Sequence, residues 1–245
     1  MDIEASSEYF LSKSYQSHKG AARCVDIKQN RMVSGGIDHK IVSYLRDENG
    51  FFQADKEFTF FGGYIYSCKI LDDEKFAVGC KDTKIYICTF EHPNDPMVIL
   101  EGHTGAVNSL SYQNDILVSG SWDATAKIWD LESGEASATL QNHAYAVTTC
   151  ISSTGDIFTG SQNGGLNRWD KAGNLLSSKE GAHSNIIREI REVEGIGIVT
   201  CSNDAAIKLW SLDLQLLGSY DKLHTTFVFA LNTLGTSMFV SGGED

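Results

Sequence analysis

The sequence predicts an all-β fold: a propeller of five complete four-stranded blades and a partial sixth. Three observations predict it. One pattern recurs six times, with an acid or amide slot at Asp38, Asp82, Asp123, Asn163, Asp204 and Asp245, separated by 44, 41, 40, 41 and 41 residues. Each complete copy reads as four short apolar or alternating segments separated by turn residues. No long stretch carries the 3.6-residue apolar period of a helix.

The third copy is the clearest. It opens on Gly102-His103, continues through Ser119-Gly120-Ser121-Trp122-Asp123 and closes on Trp129-Asp130. A Gly-His start and a Trp-Asp end at this period mark the WD-repeat β-propeller. Strands are expected at 106–112, 115–119, 126–130 and 135–140, with turns at 113–114, 121–123 and 133–134, where Asn, Asp, Ser and Gly gather. The expected blades run from 18 to 60, 61 to 100, 101 to 141, 142 to 181 and 182 to 222, with a partial blade over 223–245. The segment 8–16 precedes the first repeat and is expected to be a closing strand of the kind that ties the two ends of a ring together. The sixth repeat supplies strands over 227–232 and 237–241 and stops at Asp245 before its third. The expectation is a piece of a longer propeller, because an open ring leaves strand edges exposed.

Composition narrows the function classes. A net charge of −12 argues against nucleic acid or an anionic membrane as partner. The cysteines (Cys24, Cys68, Cys80, Cys88, Cys150 and Cys201) form no Cys-x-x-Cys pair and lie mostly in apolar strand patterns. They read as buried structural thiols, with no metal site and no cofactor. That usage, with no apolar run of membrane-spanning length, leads to the expectation of a cytoplasmic or nuclear protein.

A Ser-His-Asp search finds His103, Ser119, Asp123 and Trp129 in one repeat, and His183, Thr200, Asp204 and Trp210 in another. Because the set recurs by repeat, it reads as a buried hydrogen-bond network rather than a catalytic triad, and no catalytic residue is assigned. It is uneven: Asn163 replaces the acid in the fourth repeat, and the second lacks the His and has Cys88 in the Trp slot.

Function is sought instead where side chains are not needed to fill blades. The start of each first strand and the residue before each Asp slot fall on one face. The expected binding residues there are Arg23, Ile37, Tyr64, Tyr66, Asn108, Trp122, Ile186, Arg188, Phe227 and Phe229, with Ala106, Thr148 and others on the same face. They form an apolar patch with a polar surround, and Trp, Tyr and Arg are the residues of binding hot spots. Arg23 and Arg188 read as isolated charges.

Residues 79–85 (GCKDTKI), 119–129 (SGSWDATAKIW), 201–209 (CSNDAAIKL) and 241–245 (SGGED) resemble the phospholipase A-2-activating protein family and its fungal relatives, the WD-repeat ubiquitin-fusion-degradation cofactors. The resemblance runs from about Tyr15 onward, with the repeats in the same order. It implies a seven-bladed propeller in the full-length relative, whose top face binds ubiquitin through ubiquitin's apolar patch amid basic residues. It also implies that the AAA ATPase valosin-containing protein is bound only through C-terminal parts lying outside this sequence. The implied role is a non-enzymatic ubiquitin-binding scaffold in ubiquitin-dependent degradation and ubiquitin homeostasis. The alternative is a general propeller adaptor for another protein or a modified peptide.

Overall fold

A computed structural model describes residues 16–221, 223–234 and 238–245. The expected closing strand over 8–16 lies, apart from Gln16, outside the described residues. The strands follow in chain order. Blade 1 holds β1 (Ala22–Lys28), β2 (Arg31–Gly36), β3 (Ile41–Arg46) and β4 (Phe52–Phe58). Blade 2 holds β5 (Ile65–Ile70), β6 (Lys75–Cys80), β7 (Ile85–Thr89) and β8 (Val98–Leu100). Blade 3 holds β9 (Val107–Gln113), β10 (Ile116–Ser121), β11 (Ala126–Trp129) and β12 (Ala136–Leu140). Blade 4 holds β13 (Val147–Ile151), β14 (Ile157–Ser161), β15 (Leu166–Trp169) and β16 (Leu175–Lys179). Blade 5 holds β17 (Ile187–Val193), β18 (Gly197–Ser202), β19 (Ile207–Trp210) and β20 (Leu216–Tyr220), and the partial sixth holds β21 (Val228–Leu234) and β22 (Met238–Gly243).

Each complete blade is an antiparallel meander in strand order, and the sixth is a two-stranded pair. The first strand of each blade packs against the first strand of the next, from β1 through β5, β9, β13 and β17 to β21. First strands therefore line a channel, and fourth strands lie outermost. The expected third-blade strands match β9 to β12 within one or two residues. The hairpin between β9 and β10 turns on Asn114 and Asp115, with φ of 50° and 60°. Two consecutive positive φ values are the signature of the type I′ loop that suits the twist of paired strands.

The core is not central but sandwiched between blades. Val107 of β9 is fully buried among Leu71, Ile85 and Leu100 of blade 2 and Leu117 and Trp129 of its own blade. Such close packing needs a residue without a side chain in the second strand. At Gly120 of β10 a Cβ would lie 2.2 Å from the carbonyl oxygen of Val147, on the first strand of blade 4. Gly35, Gly79 and Gly160 stand at the matching point of blades 1, 2 and 4, and there too a Cβ would clash with the first strand of the next blade. Gly120→Ala is therefore expected to cost about 1–3 kcal/mol through blade separation, read as a drop in thermal midpoint. An unchanged midpoint would show that the blades have slack at this contact.

Candidate functional site

The face that carries the candidate residues is built on a tether between two loops. In blade 3, Asp123 accepts from His103 Nδ1 (2.7 Å), from the backbone N–H of Thr104 (2.9 Å), and from the Thr125 N–H and hydroxyl (2.9 and 2.7 Å). The Trp129 indole N–H donates to Ser119 Oγ at 2.8 Å, and an indole only donates. The Ser119 proton therefore goes to His103 Nε2, 2.7 Å away, and the imidazole's own proton to the carboxylate. Burial alone raises the Asp123 carboxyl, but the bonds from His103, Thr125 and Thr104 outweigh it and hold the group well below the usual carboxylate range. Asp204 is held down in the same way by His183 and by the N–H groups of Ser184 and Ala206. There the chain runs from Trp210 Nε1 to Thr200 Oγ1 (2.9 Å), to His183 Nε2 (2.7 Å) and on to Asp204 (2.9 Å).

The same tether appears in blade 1 through His18, Ser34 and Asp38, with the Tyr44 hydroxyl in place of the indole, and in blade 6 through His224, Ser241 and Asp245. Two blades depart from it. In blade 4, Asn163 keeps only the turn, accepting from the Gly165 N–H (3.2 Å) and from the Ser161 hydroxyl. His143 still meets Thr159 at 2.7 Å, and burial without a carboxylate pushes its pKa down to about 4. In blade 2, Phe61 fills the His slot, and the hydroxyl of Tyr86 reaches Asp82 at 2.6 Å. Sequence reading left Asp82 alone, because Tyr86 lies two residues before the expected Trp position.

The tether sets the loop tips. Each residue before the acid or amide slot donates its backbone N–H to the carbonyl just ahead of the first strand. The pairs are Ile37 with Ala21, Lys81 with Tyr64, Trp122 with Ala106, Gln162 with Ala146, Asn203 with Ile186 and Glu244 with Phe227, all at 2.8–3.1 Å. The residue after the slot takes a positive φ in five blades: His39, Thr83, Ala124, Gly164 and Ala205. That left-handed turn is unfavourable for side chains larger than Gly, and the acid's bond to the N–H two residues on stabilises it.

A second device then aims the side chains. In five of the six first strands the ladder skips one residue: Arg23 in β1, Tyr66 in β5, Asn108 in β9, Arg188 in β17 and Phe229 in β21. A β-bulge leaves its extra residue unpaired and re-aims it. All five line one cavity of about 520 Å³ at the channel mouth. Blade 4 has no bulge: Thr148 pairs regularly with Gly160 and is only 6% exposed. Thr148 nevertheless lines the same cavity, so it faces the channel as expected without standing out from the wall. Ala106, also expected there, is buried.

Beside the mouth lies a groove of about 570 Å³ lined by Asn108, Trp122, Tyr145, Ile186 and Arg188 among others. Trp122 is 54% exposed and leans on Tyr66 with ring centroids 5.3 Å apart. Phe227 and Phe229 meet edge to face at 6.0 Å, and the Arg188 guanidinium lies 5.3 Å over Phe229. Tyr64 is not part of this group. It packs against His39 and under Lys81 in a separate cleft of blades 1 and 2. Ile37 borders neither cavity; it fills the space above Gly20. Sequence reading missed Tyr145, 53% exposed, which stands where blade 3 has Gly105. The signal was an aromatic residue in a slot filled elsewhere by Gly, Asn or Thr.

Comparison with known proteins agrees with this architecture. Residues 94–130 match the family model described as WD domain, G-beta repeat. Protein DOA1 of Saccharomyces cerevisiae is 31% identical over 92% of this chain and 32% of its own length. Ubiquitin homeostasis protein lub1 of Schizosaccharomyces pombe is 34% identical over 98% of this chain and 33% of its own. The chain thus spans about a third of the length of these curated relatives. The crystal structure of the WD40 β-propeller domain of Doa1 superposes with a TM-score of 0.83 at 28% identity, covering 94% of this chain and 78% of that one.

Two predictions follow from the tether. His103→Ala leaves Asp123 and Ser119 short of a buried partner and is expected to cost about 1–3 kcal/mol in thermal or urea unfolding; an unchanged midpoint would refute the tether. The second concerns pH. Asp123 and Asp204 titrate lower folded than unfolded, so their contribution is full above about pH 4 and is lost as pH falls below it. His143 resists protonation in the folded chain until about pH 4, against 6.5 for a free imidazole. Its contribution is therefore full above about pH 6.5 and shrinks on the way down to pH 4. Urea midpoints of His143→Gln should fall less steeply than wild type across that window, and parallel curves would refute the assignment.

Proposed function

From its standing as a WD-repeat propeller homologous to Doa1 and lub1, we propose that this chain is a ubiquitin-binding scaffold. It would act in ubiquitin-dependent protein degradation and ubiquitin homeostasis, docking ubiquitin on the face around the channel mouth. The observation that carries the reading is the convergence of five bulged side chains and the exposed Trp122 on one cavity and its adjoining groove. Large aromatics beside Arg are what a protein interface concentrates at its centre. The printed name of lub1 points to ubiquitin as the protein concerned.

The role proposed is non-catalytic. Ser119 and Thr200 have the relation to His and Asp that a nucleophile would need, but both are fully buried and each hydroxyl is spent between an indole and an imidazole. A substrate carbonyl has no access to them.

The test is a ubiquitin titration, by calorimetry or NMR, of the wild type and of a Trp122→Ala, Phe229→Ala double variant. Both side chains are exposed, so the variant should keep its thermal midpoint. Affinity is expected to fall at least about tenfold, the loss of one or two hot-spot residues. Equal binding by both proteins would remove this face as the site, and no binding by the wild type would remove the function.

A further inference from the structure

We propose that the channel mouth seats one carboxylate of the docked protein between Arg23 and Arg188. The proposal rests on the reading of this face as a protein-docking surface and adds the chemistry of one subsite to it.

Sequence reading treated these arginines as isolated charges, because they lie 165 residues apart. The bulges in β1 and β17 bring both to the wall of the same cavity. Each is exposed; partial burial lowers the Arg188 pKa, and the Arg23 charge lowers it further. Neither has an acid for a partner. Arg23 makes no hydrogen bond or ion pair among the described residues, while Arg188 donates from Nε to Asn203 Oδ1 at 2.7 Å. The acids on the same two strands are already engaged: Glu189 with Arg191 at 2.7 Å, Glu192 with the Ser153 N–H and hydroxyl, both at 2.7 Å, and Asp26 with Lys69 and the Ile70 N–H, both at 2.8 Å. Among the described residues no acid pairs with either arginine, so the mouth carries local positive charge in a protein with twelve more acidic than basic residues.

Two unpaired like charges facing one cavity repel, and an oxyanion between them removes the repulsion. The guanidinium fork matches a planar carboxylate. The Arg188 fork is already oriented, held by Asn203 on one side and lying over Phe229 at 5.3 Å. A phosphate would call for a larger Arg cluster than two side chains, one of which has given its Nε to Asn203.

The test has two arms. In the first, ubiquitin is titrated against wild type, Arg23→Gln, Arg188→Gln and Trp122→Ala at about 0.05 and about 0.3 M NaCl. Each Arg variant should bind about tenfold more weakly at the lower salt, the loss of one charge-assisted bond, with a flattened salt dependence. Arg23→Gln alone should melt no lower than wild type, since it removes repulsion and breaks no bond. Trp122→Ala should weaken binding without flattening the salt dependence. Arg variants that bind as wild type does, beside a weakened Trp122→Ala, would overturn the carboxylate seat and leave the docking face standing. The second arm does not depend on ubiquitin: the Arg Nε–H resonances are followed by NMR while acetate or inorganic phosphate is added. A saturable shift of the Arg188 signal with acetate, abolished in Arg23→Gln, supports the seat. No shift with either ion, or saturation by phosphate at about a tenfold lower concentration than by acetate, overturns it.

Discussion

One hydrogen-bond chain underlies the rest of this structure. An indole donates to a buried hydroxyl, the hydroxyl to an imidazole, and the imidazole to a carboxylate that also gathers the N–H groups of two loops. In blade 3 the chain runs from Trp129 through Ser119 and His103 to Asp123. Its inner end is fully buried and its outer end lies at a loop tip, so it couples the inter-blade core to the surface. Every polar atom along it has a partner, and this is the condition under which a buried network enforces a single arrangement. Trp122 follows directly: its position is set by the neighbouring Asp123 and by its own N–H bond to Ala106.

Blades 2 and 4 show how far the chain can be altered. Blade 2 replaces the polar interior with Phe61, Val78 and Cys88 and satisfies Asp82 through the Tyr86 hydroxyl instead. Blade 4 keeps the His, Thr and Trp but gives up the carboxylate, and burial holds its imidazole pKa down at about 4. Both solutions leave the tip-to-strand backbone bond in place, at Lys81 and at Gln162. The loop position is thus common to six blades, while the chemistry that supports it varies.

Much of this was legible in the sequence because it repeats. The Asp slots gave the blade count, and the Gly-His and Trp-Asp landmarks gave the network and the strand order. What escaped was set by relations between blades or by departures from regular pairing. Nothing in the local pattern of Asn108 distinguishes it from Thr148, yet the first stands out of a bulge and the second pairs into its ladder. Tyr145 escaped because its slot is ordinarily a turn residue. That Arg23 and Arg188 line one cavity depends on how blades 1 and 5 stand about the channel, which no local pattern reports. Tyr64 and Ile37 were placed on the right face but outside its centre, since a face defined by strand alternation carries no radial coordinate.

The bulged position has a consequence of its own. A residue that the ladder does not count answers to its neighbours rather than to the strand register, as Asn108 does in donating to the Val147 carbonyl at 3.1 Å, and this chain carries Arg, Tyr, Asn, Arg and Phe at its five examples. The backbone there acts as a socket whose contents can be exchanged one blade at a time without re-registering a strand. A propeller built this way can change what it recognises while its architecture stays still, and blade 4, whose Thr148 lines the same cavity from within a regular ladder, contributes wall rather than a projecting side chain.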